Sequence, residues 1–529
     1  MKGLFLALGI WIWSAAVFAQ PPDGFDARVE LLRTRIGVPG IAISIVENGQ
    51  VTMAQGFGLR ALGSTARVDA DTIFETGSTG KAFTVADLAV LVDAGRLGWD
   101  DKVIDRLPGF QMYDPWVTRE MTVRDLLVHR SGLGLGEGDL LFVPRTNLTR
   151  AESVRRLRYL KPATSFRSGF AYDNVLYMVA GDLIEAVTGQ TWEQFTAEHL
   201  LKPAGMLHST PDNLVRLATE NRAQPHGRIA GEIRGLGPQS LLDERDELGR
   251  NAAPAGGLAI SASDMARWML IQLAGGRLPE GGRLFSEAAH EQMWSPVVPQ
   301  AIEPVADNMK ATQPLFNAYA LGWEVRDYRG ARVIWHHGSV LGSTAVVVLL
   351  PDRQVGFFIA INSEDGEIID GLMYQLLDYY TTGLLQSGAA TSDWPKAFVA
   401  AKQQALAEAL KIYRSVHEHP AKVGPSLPLA RYVGTYRDNW YGDIVVSAAS
   451  GALSIDFKST PRMVGRLEHF QYDSFLVRFE DKAIEPAYVT FNLDEGGHIT
   501  HVTLKPASPL ADFSYDYKDL DFRPAERAP

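Results

Sequence analysis

Phe74-Glu75-Thr76-Gly77-Ser78-Thr79-Gly80-Lys81 sets a serine and a lysine three residues apart, just where an apolar helix is predicted to begin. Residues i and i+3 share one helix face, so the amine can reach the hydroxyl. A serine hydroxyl is a poor nucleophile until a base takes its proton. Burial penalises an ammonium, lowers the lysine pKa and turns the side chain into such a base. The helix N-terminus adds partial positive charge where an oxyanion would develop. Alone the pattern is weak. About one S-x-x-K is expected by chance in a chain of this length, and an N-cap serine with a solvated lysine would look the same.

Two further stretches change the balance. Ala171-Tyr172-Asp173-Asn174 opens an apolar helix. A phenol near an ammonium is more easily deprotonated, so Tyr172 could relay a proton between Ser78 and a leaving group. The Asn174 amide could hold Lys81 or a substrate carbonyl. A buried tyrosine and a helix-cap asparagine are the plainer alternative. Farther on, Trp335-His336-His337-Gly338-Ser339 stands between two strand-like stretches. A backbone N–H there, that of Ser339 or its neighbour Gly338, could join the N–H of Ser78 in a two-donor oxyanion hole. His336 could polarise a leaving group or bind a carboxylate. His337 reads as structural.

Taken in order, Ser78-Thr79-Gly80-Lys81, Tyr172-Asp173-Asn174 and His336-His337-Gly338 resemble the three motifs of serine β-lactamase-related hydrolases (peptidase family S12). That family includes class C β-lactamases, penicillin-binding carboxypeptidases, D-aminopeptidases and esterases. Leu126-Leu127-Val128-His129-Arg130-Ser131-Gly132-Leu133 and Pro254-Ala255-Gly256-Gly257-Leu258 match as well, and the resemblance runs from about Phe25 to Leu385. It implies Ser78 as nucleophile, Lys81 and Tyr172 as acid–base partners, Asn174 as an orienting residue and the backbone of Ser78 and Ser339 as the oxyanion hole. One position departs: β-lactamases and carboxypeptidases usually carry Lys where His336 stands. A histidine is mostly neutral at pH 7 and suits a substrate carboxylate poorly. The histidine form resembles the peptidase and aminopeptidase branch.

The outward organisation agrees with a two-part hydrolase. Phe25 to Ile36 reads as an amphipathic helix, and Ile41 to Val46 and Val51 to Gly56 as a hairpin turned by Asn48-Gly49. Helices are predicted over Lys81 to Asp93, Val123 to Val128, Tyr172 to Thr188, Trp192 to Leu201 and Ser263 to Leu273. Strands return at Val333 to Trp335, Thr344 to Leu350 and Val355 to Asn362, followed by a helix over Asp370 to Leu385. Sheet ends around a helical middle imply an α/β plus all-α, two-subdomain fold, an antiparallel sheet flanked by helices. Residues 20–385 are assigned to it and residues 386–424 to a helical linker, with a breakpoint at Ser387 to Ser392. Residues 425–529 read as a small antiparallel β-barrel, because short alternating strands and turns replace the helical pattern. Tyr432-Val433-Gly434-Thr435-Tyr436 and Leu467-Glu468-His469-Phe470 resemble the lipocalin-like domain appended to some of these hydrolases. In relatives such domains cover the cleft or mediate oligomers, which makes a homo-oligomer an expectation.

Bulk properties narrow the partners. The 529 residues carry a net charge of −11, with no Lys/Arg-rich run, so nucleic acid and anionic membranes are not expected. There are no cysteines, which excludes disulfides, thiolate catalysis and iron–sulfur clusters. No motif asks for a metal or other cofactor. Residues 1–19 have the basic start, apolar run and small residues (Val17, Ala19) of a secretory signal, so a periplasmic or secreted protein without a membrane span is expected. The expected activity is hydrolysis of a small peptide or amide, with D-amino acids in view, through a Ser78 acyl-enzyme. Short acyl esters, weak β-lactam hydrolysis and non-catalytic peptide binding are the alternatives. The loops Gly134 to Asn147 and Arg234 to Asn251 are expected to border the cleft.

Overall fold

Gly37 ends the first helix, α1 (Phe25–Ile36), at φ 88° with its N–H on the Arg33 carbonyl, and the chain turns straight into a strand. In the computed structural model, residues 21–246, 248–382, 393–417 and 423–525 are described. The predicted leader, the breakpoint at Ser387 to Ser392 and His419 of the linker lie outside them. Strand β1 (Gly40–Glu47) meets β2 (Gln50–Gly58) through Asn48 and Gly49, both at positive φ, the left-handed pair that a tight hairpin needs.

The chain then leaves the sheet for a helical region built on α2 (Lys81–Asp93), α3 (Val175–Thr188) and α4 (Ala262–Leu273). It returns as β3 (Val298–Pro299), β4 (Asn317–Tyr319), β5 (Glu324–Tyr328), β6 (Ala331–Val340), β7 (Ser343–Leu350) and β8 (Val355–Ile361). The antiparallel sheet runs β2-β1-β8-β7-β6-β5-β4-β3. Its central strands β1, β7 and β8 are buried at every position, because helices cover both faces. Alternate residues serve the two cores. Ile43, Phe357 and Ile359 face α1 and α5 (Gly366–Thr382), while Ala42, Phe358 and Ala360 face the helical region. There Phe83 of α2 stacks on Trp268 of α4, ring centres 4.1 Å apart.

Several predicted elements are redrawn. The stretch His336 to Ser339 is no connection between strands; it lies inside β6, paired along its length with β7. Val123 to Val128 is a single tight turn over Arg124–Leu127, too short for an α-helix. The helix expected from Tyr172 starts at Val175, leaving Tyr172-Asp173-Asn174 in the preceding loop. Trp192 to Leu201 is α-helical only to Thr196 and continues as a wider π-turn.

Helix α6 (Trp394–His417) packs along α5, with Phe398 stacked on Tyr374 at 5.5 Å. A closed barrel follows: β9 (Gly434–Asp438), β10 (Gly442–Ala449), β11 (Ala452–Phe457), β12 (Val464–Gln471), β13 (Ser474–Phe479), β14 (Ala487–Leu493), β15 (Ile499–Pro506) and β16 (Asp521–Pro524). Aromatic edges fill its interior; Tyr432 meets Phe491 at 4.9 Å and Phe475 at 5.3 Å. It docks on the sheet-and-helix region through polar ties: Arg156 donates to the Trp440 carbonyl at 3.0 Å and Arg462 pairs with Asp243 at 2.9 Å.

Candidate active site

Gly77–Gly80 forms a one-turn 3-10 segment that feeds α2. Within it only Ser78 is partly open to solvent; Gly77, Thr79, Gly80 and Lys81 are buried. Lys81 is fully buried and its Nζ lies 3.0 Å from Ser78 Oγ, 2.7 Å from Asn174 Oδ1 and 2.8 Å from the Ala255 carbonyl. Two of these oxygens can only accept, so they claim two amine hydrogens whatever the charge. As an ammonium, Lys81 donates its third hydrogen to Ser78; as a neutral amine, it presents a lone pair to the Ser78 hydroxyl. Burial lowers its pKa to about 7, against the pull of Asp139 and Asp173. Both forms are therefore accessible at neutral pH.

The Asn174 amide cannot be turned round. Its oxygen meets Lys81 while its nitrogen donates to Asp139 Oδ2 at 2.9 Å. The Tyr172 loop is clamped from behind by the 126–133 stretch. Ala171 N–H donates to the His129 carbonyl at 3.0 Å, Asp173 N–H to His129 Nδ1 at 3.1 Å, and Ser131 Oγ to Asp173 Oδ2 at 2.8 Å. The His129 ring packs on the Tyr172 ring at 4.2 Å. Tyr172 stands with its ring centre 4.8 Å from Lys81 Nζ. Burial pushes its phenol well above the usual tyrosine value, with a hydrogen bond to Ser78 acting the other way.

Strand β6 closes the other side. A Cβ on Gly338 would fall 1.9 Å from the Thr76 carbonyl, and one on Gly77 2.6 Å from the Ser339 nitrogen. The two backbones are in direct contact, which brings the amides of Ser78 and Ser339 to one seam. His336 is buried, with Nε2 2.8 Å from the Tyr319 hydroxyl and Nδ1 on the His337 carbonyl. That carbonyl only accepts, so Nδ1 carries the hydrogen and Nε2 accepts from Tyr319. Burial and the nearby Lys81 hold the imidazole well below its usual pKa, hence neutral. Both ring nitrogens are thus engaged by the protein. His337 turns away to Asp370 of α5 at 3.2 Å.

A cavity of about 880 Å³ opens over Ser78, bounded by Tyr172, Ser339, Leu236, Leu406 of α6 and Phe513 of the barrel link. Sequence reasoning did not single out Asp139, Tyr319 or Phe513. The 134–147 loop was placed at the cleft, but one aspartate among glycines carries no motif. Tyr319 sits in a three-residue strand, and Phe513 lies more than four hundred residues along the chain from Ser78.

Comparison with known proteins matches this architecture. Residues 25–377 match the family model described as Beta-lactamase, and residues 418–524 one described as a domain of unknown function, DUF3471. Unguisins hydrolase ungD of Aspergillus violaceofuscus is 27% identical over 473 residues, 82% of this chain and 78% of that protein. Penicillin-binding protein 4 of Amycolatopsis lactamdurans is 29% identical over 335 residues, 63% and 82% of the two chains. Among solved structures, the octameric penicillin-binding protein homologue from Pyrococcus abyssi superposes with a TM-score of 0.55 at 21% identity, over 91% of this chain and 97% of that one. SurE superposes at 0.52 and 21%, over 95% and 99%. At such identities the structures speak for the fold.

Proposed function

The chain belongs to the beta-lactamase family of serine hydrolases, and on that premise we propose that it hydrolyses small peptides or amides through an acyl-enzyme on Ser78. The observation that carries the proposal is the buried Lys81 amine held within 3.0 Å of Ser78 Oγ by two fixed acceptors. Neutral Lys81 takes the hydroxyl proton as Oγ attacks the substrate carbonyl carbon. The oxyanion settles at the seam between the amides of Ser78 and Ser339. Tyr172, protonated because burial disfavours its phenolate, donates to the departing amine as the C–N bond breaks, and the Lys81 proton restores the phenol. Water then attacks the ester by the same relay in reverse, releasing the acid and free Ser78.

Neutral His336 supplies no fixed cation where a β-lactam or a C-terminal carboxylate would need one. This favours amides and peptides without a carboxylate at that edge. The proposed class of small peptides and amides includes those that contain D-amino acids. The leader-like residues 1–19 support an exported enzyme, and the octameric Pyrococcus homologue supports a homo-oligomer.

The test is a panel of D- and L-aminoacyl amides, short acyl esters and a chromogenic cephalosporin, run on the native protein and Ser78→Ala. Amide turnover above cephalosporin turnover, abolished in Ser78→Ala with the fold intact, is the expected result. Turnover retained in Ser78→Ala would remove Ser78 as nucleophile. Ester turnover without amide turnover would replace the peptidase reading by an esterase.

A further inference from the structure

The link between β15 and β16 crosses from the barrel onto the catalytic domain and touches Asp139 and Tyr172 there. Asp516 Oδ2 accepts the Gly138 N–H at 2.7 Å, and Ser514 Oγ donates to Asp139 Oδ2 at 2.8 Å. Phe513 stands edge-on to Tyr172, ring centres 6.0 Å apart. The seat is shaped for this segment: Gly136 has φ +69° and a Cβ there would come 2.6 Å from the Phe513 ring. The segment is also stiff locally, since the Asp512 carboxylate accepts the Ser514 N–H at 2.9 Å.

Asp139 is fully buried and its Oδ1 has no hydrogen-bond partner among the described residues. Its charge thus depends on two donors, the Asn174 amide and the Ser514 hydroxyl. We propose that Ser514 is a positioning residue for Lys81, acting through Asp139 and Asn174, and that Phe513 beside it forms the barrel's wall of the substrate pocket. The catalytic domain's site is then incomplete without the barrel. This rests on the assignment of Ser78 and Lys81 above.

The physical chain is short. Ser514 stabilises the Asp139 anion, the anion fixes the Asn174 amide with its oxygen toward Lys81, and the negative charge favours the lysine ammonium. Burial raises Asp139 to about 8 and lowers Lys81 to about 7, while the Asn174 and Ser514 hydrogen bonds and the Lys81 charge pull Asp139 back toward its anion; the neutral pair and the ion pair thus lie close in energy near neutral pH, and losing one donor favours the neutral pair. Without the hydroxyl, Asp139 takes up a proton more readily and Lys81 releases its own at lower pH. The other groups around Lys81 are Asp173, Tyr172, Tyr177, His129 and His336; around Asp139 they are Asp512, Glu137 and Asp516, with Lys518 and Asp519 beyond. A Ser514 substitution alters none of them.

The experiment follows the rate of Ser78 labelling by a fluorophosphonate against pH, in the full chain. Ser514→Ala should move the acid midpoint down by about half a pH unit and slow labelling about tenfold. Ser514→Thr, which keeps a hydroxyl, should return the profile toward the native one. Asp139→Asn removes the charge with the segment still seated, and it should shift the midpoint the same way even if Ser514→Ala folds poorly. Phe513→Ala should raise kcat/KM for bulky acyl groups relative to acetyl severalfold. Ser514→Ala and Asp139→Asn profiles superimposable on the native one, or a Phe513→Ala without changed acyl preference, would overturn the inference alone. A native protein that the probe does not label would overturn the Ser78 assignment and the inference with it.

Discussion

Lys81 concentrates the chemistry in one atom, and its neighbours define what can be measured. A pKa lowered to about 7 means that the base form grows as pH rises through neutrality. kcat/KM should therefore climb through about pH 7, and Lys81→Arg, charged at every usable pH, should lose at least about a thousandfold. The same burial costs stability. The unfolded lysine keeps its proton to about pH 10.4, the folded one only to about 7, so the unfolded state binds more protons in between and stability rises with pH across that window. Near pH 7 the cost is roughly 4 kcal/mol, offset in part by hydrogen bonds to Asn174 and Ala255 worth about 1 kcal/mol each. Lys81→Met should raise the Tm at pH 7 while abolishing turnover, and calorimetry should see that gap narrow toward pH 10. Ser78, Lys81, Tyr172 and Asn174 were legible because each stands in a short motif with fixed spacing. Asp139, which steadies Lys81 through Asn174, was not: its role comes from where a glycine-rich loop folds back, and no local pattern encodes that.

At the scale of elements, the seam between the Gly77–Gly80 turn and β6 sets the site. Gly338 has no room for a side chain: a Cβ would sit 1.9 Å from the Thr76 carbonyl and 2.8 Å from the Ser78 nitrogen. Gly338→Ala must push β6 off the turn by about an ångström, which separates the amides of Ser78 and Ser339. Such a displacement costs about a hundredfold in kcat. The expected outcome is a folded protein by circular dichroism, with KM little changed and kcat down by about that factor. An alanine variant with native kcat would mean the seam holds no oxyanion. The hairpin at Asn48-Gly49, α1 and α2 were readable because turn chemistry and period agree there. From sequence alone the strand is expected to stop at Trp335, whereas β6 runs on to Val340. Polar residues inside a strand look like a break, whereas here His336 is satisfied by Tyr319 and the His337 carbonyl, and His337 by Asp370.

For the whole molecule the catalytic region, α6 and the barrel meet around one cavity, and Arg234 ties several of its walls together. Its Nε donates to Glu364 Oε2 at 2.8 Å, its Nη1 donates to the Ala483 carbonyl of the barrel at 2.5 Å, and Glu364 in turn accepts the Gly342 N–H at 3.0 Å in the β6–β7 turn. The next residue, Gly235, lies against Leu406 of α6. The place of the 234–251 loop at the cleft was legible in the sequence, but these ties were not, because the loop has no period and the partners of Arg234 lie more than a hundred residues away. Arg234 and Glu364 are mostly buried, with side chains 20% and 27% exposed. Removing the guanidinium leaves a partly desolvated carboxylate unpaired, a loss of about 3 kcal/mol, whereas exposed pairs lose a fraction of that. Arg234→Ala should lower the Tm by roughly 5 °C. Because the same residue anchors a cavity wall, KM should rise while the pH midpoint of kcat, set by Lys81, stays in place. Glu364→Gln keeps an acceptor for Arg234 and Gly342 but drops the charge, so it should destabilise less than Arg234→Ala. If both variants melt with the native protein and bind substrate as well, the units around the cavity are held together elsewhere, and Arg234 is only a surface ion pair.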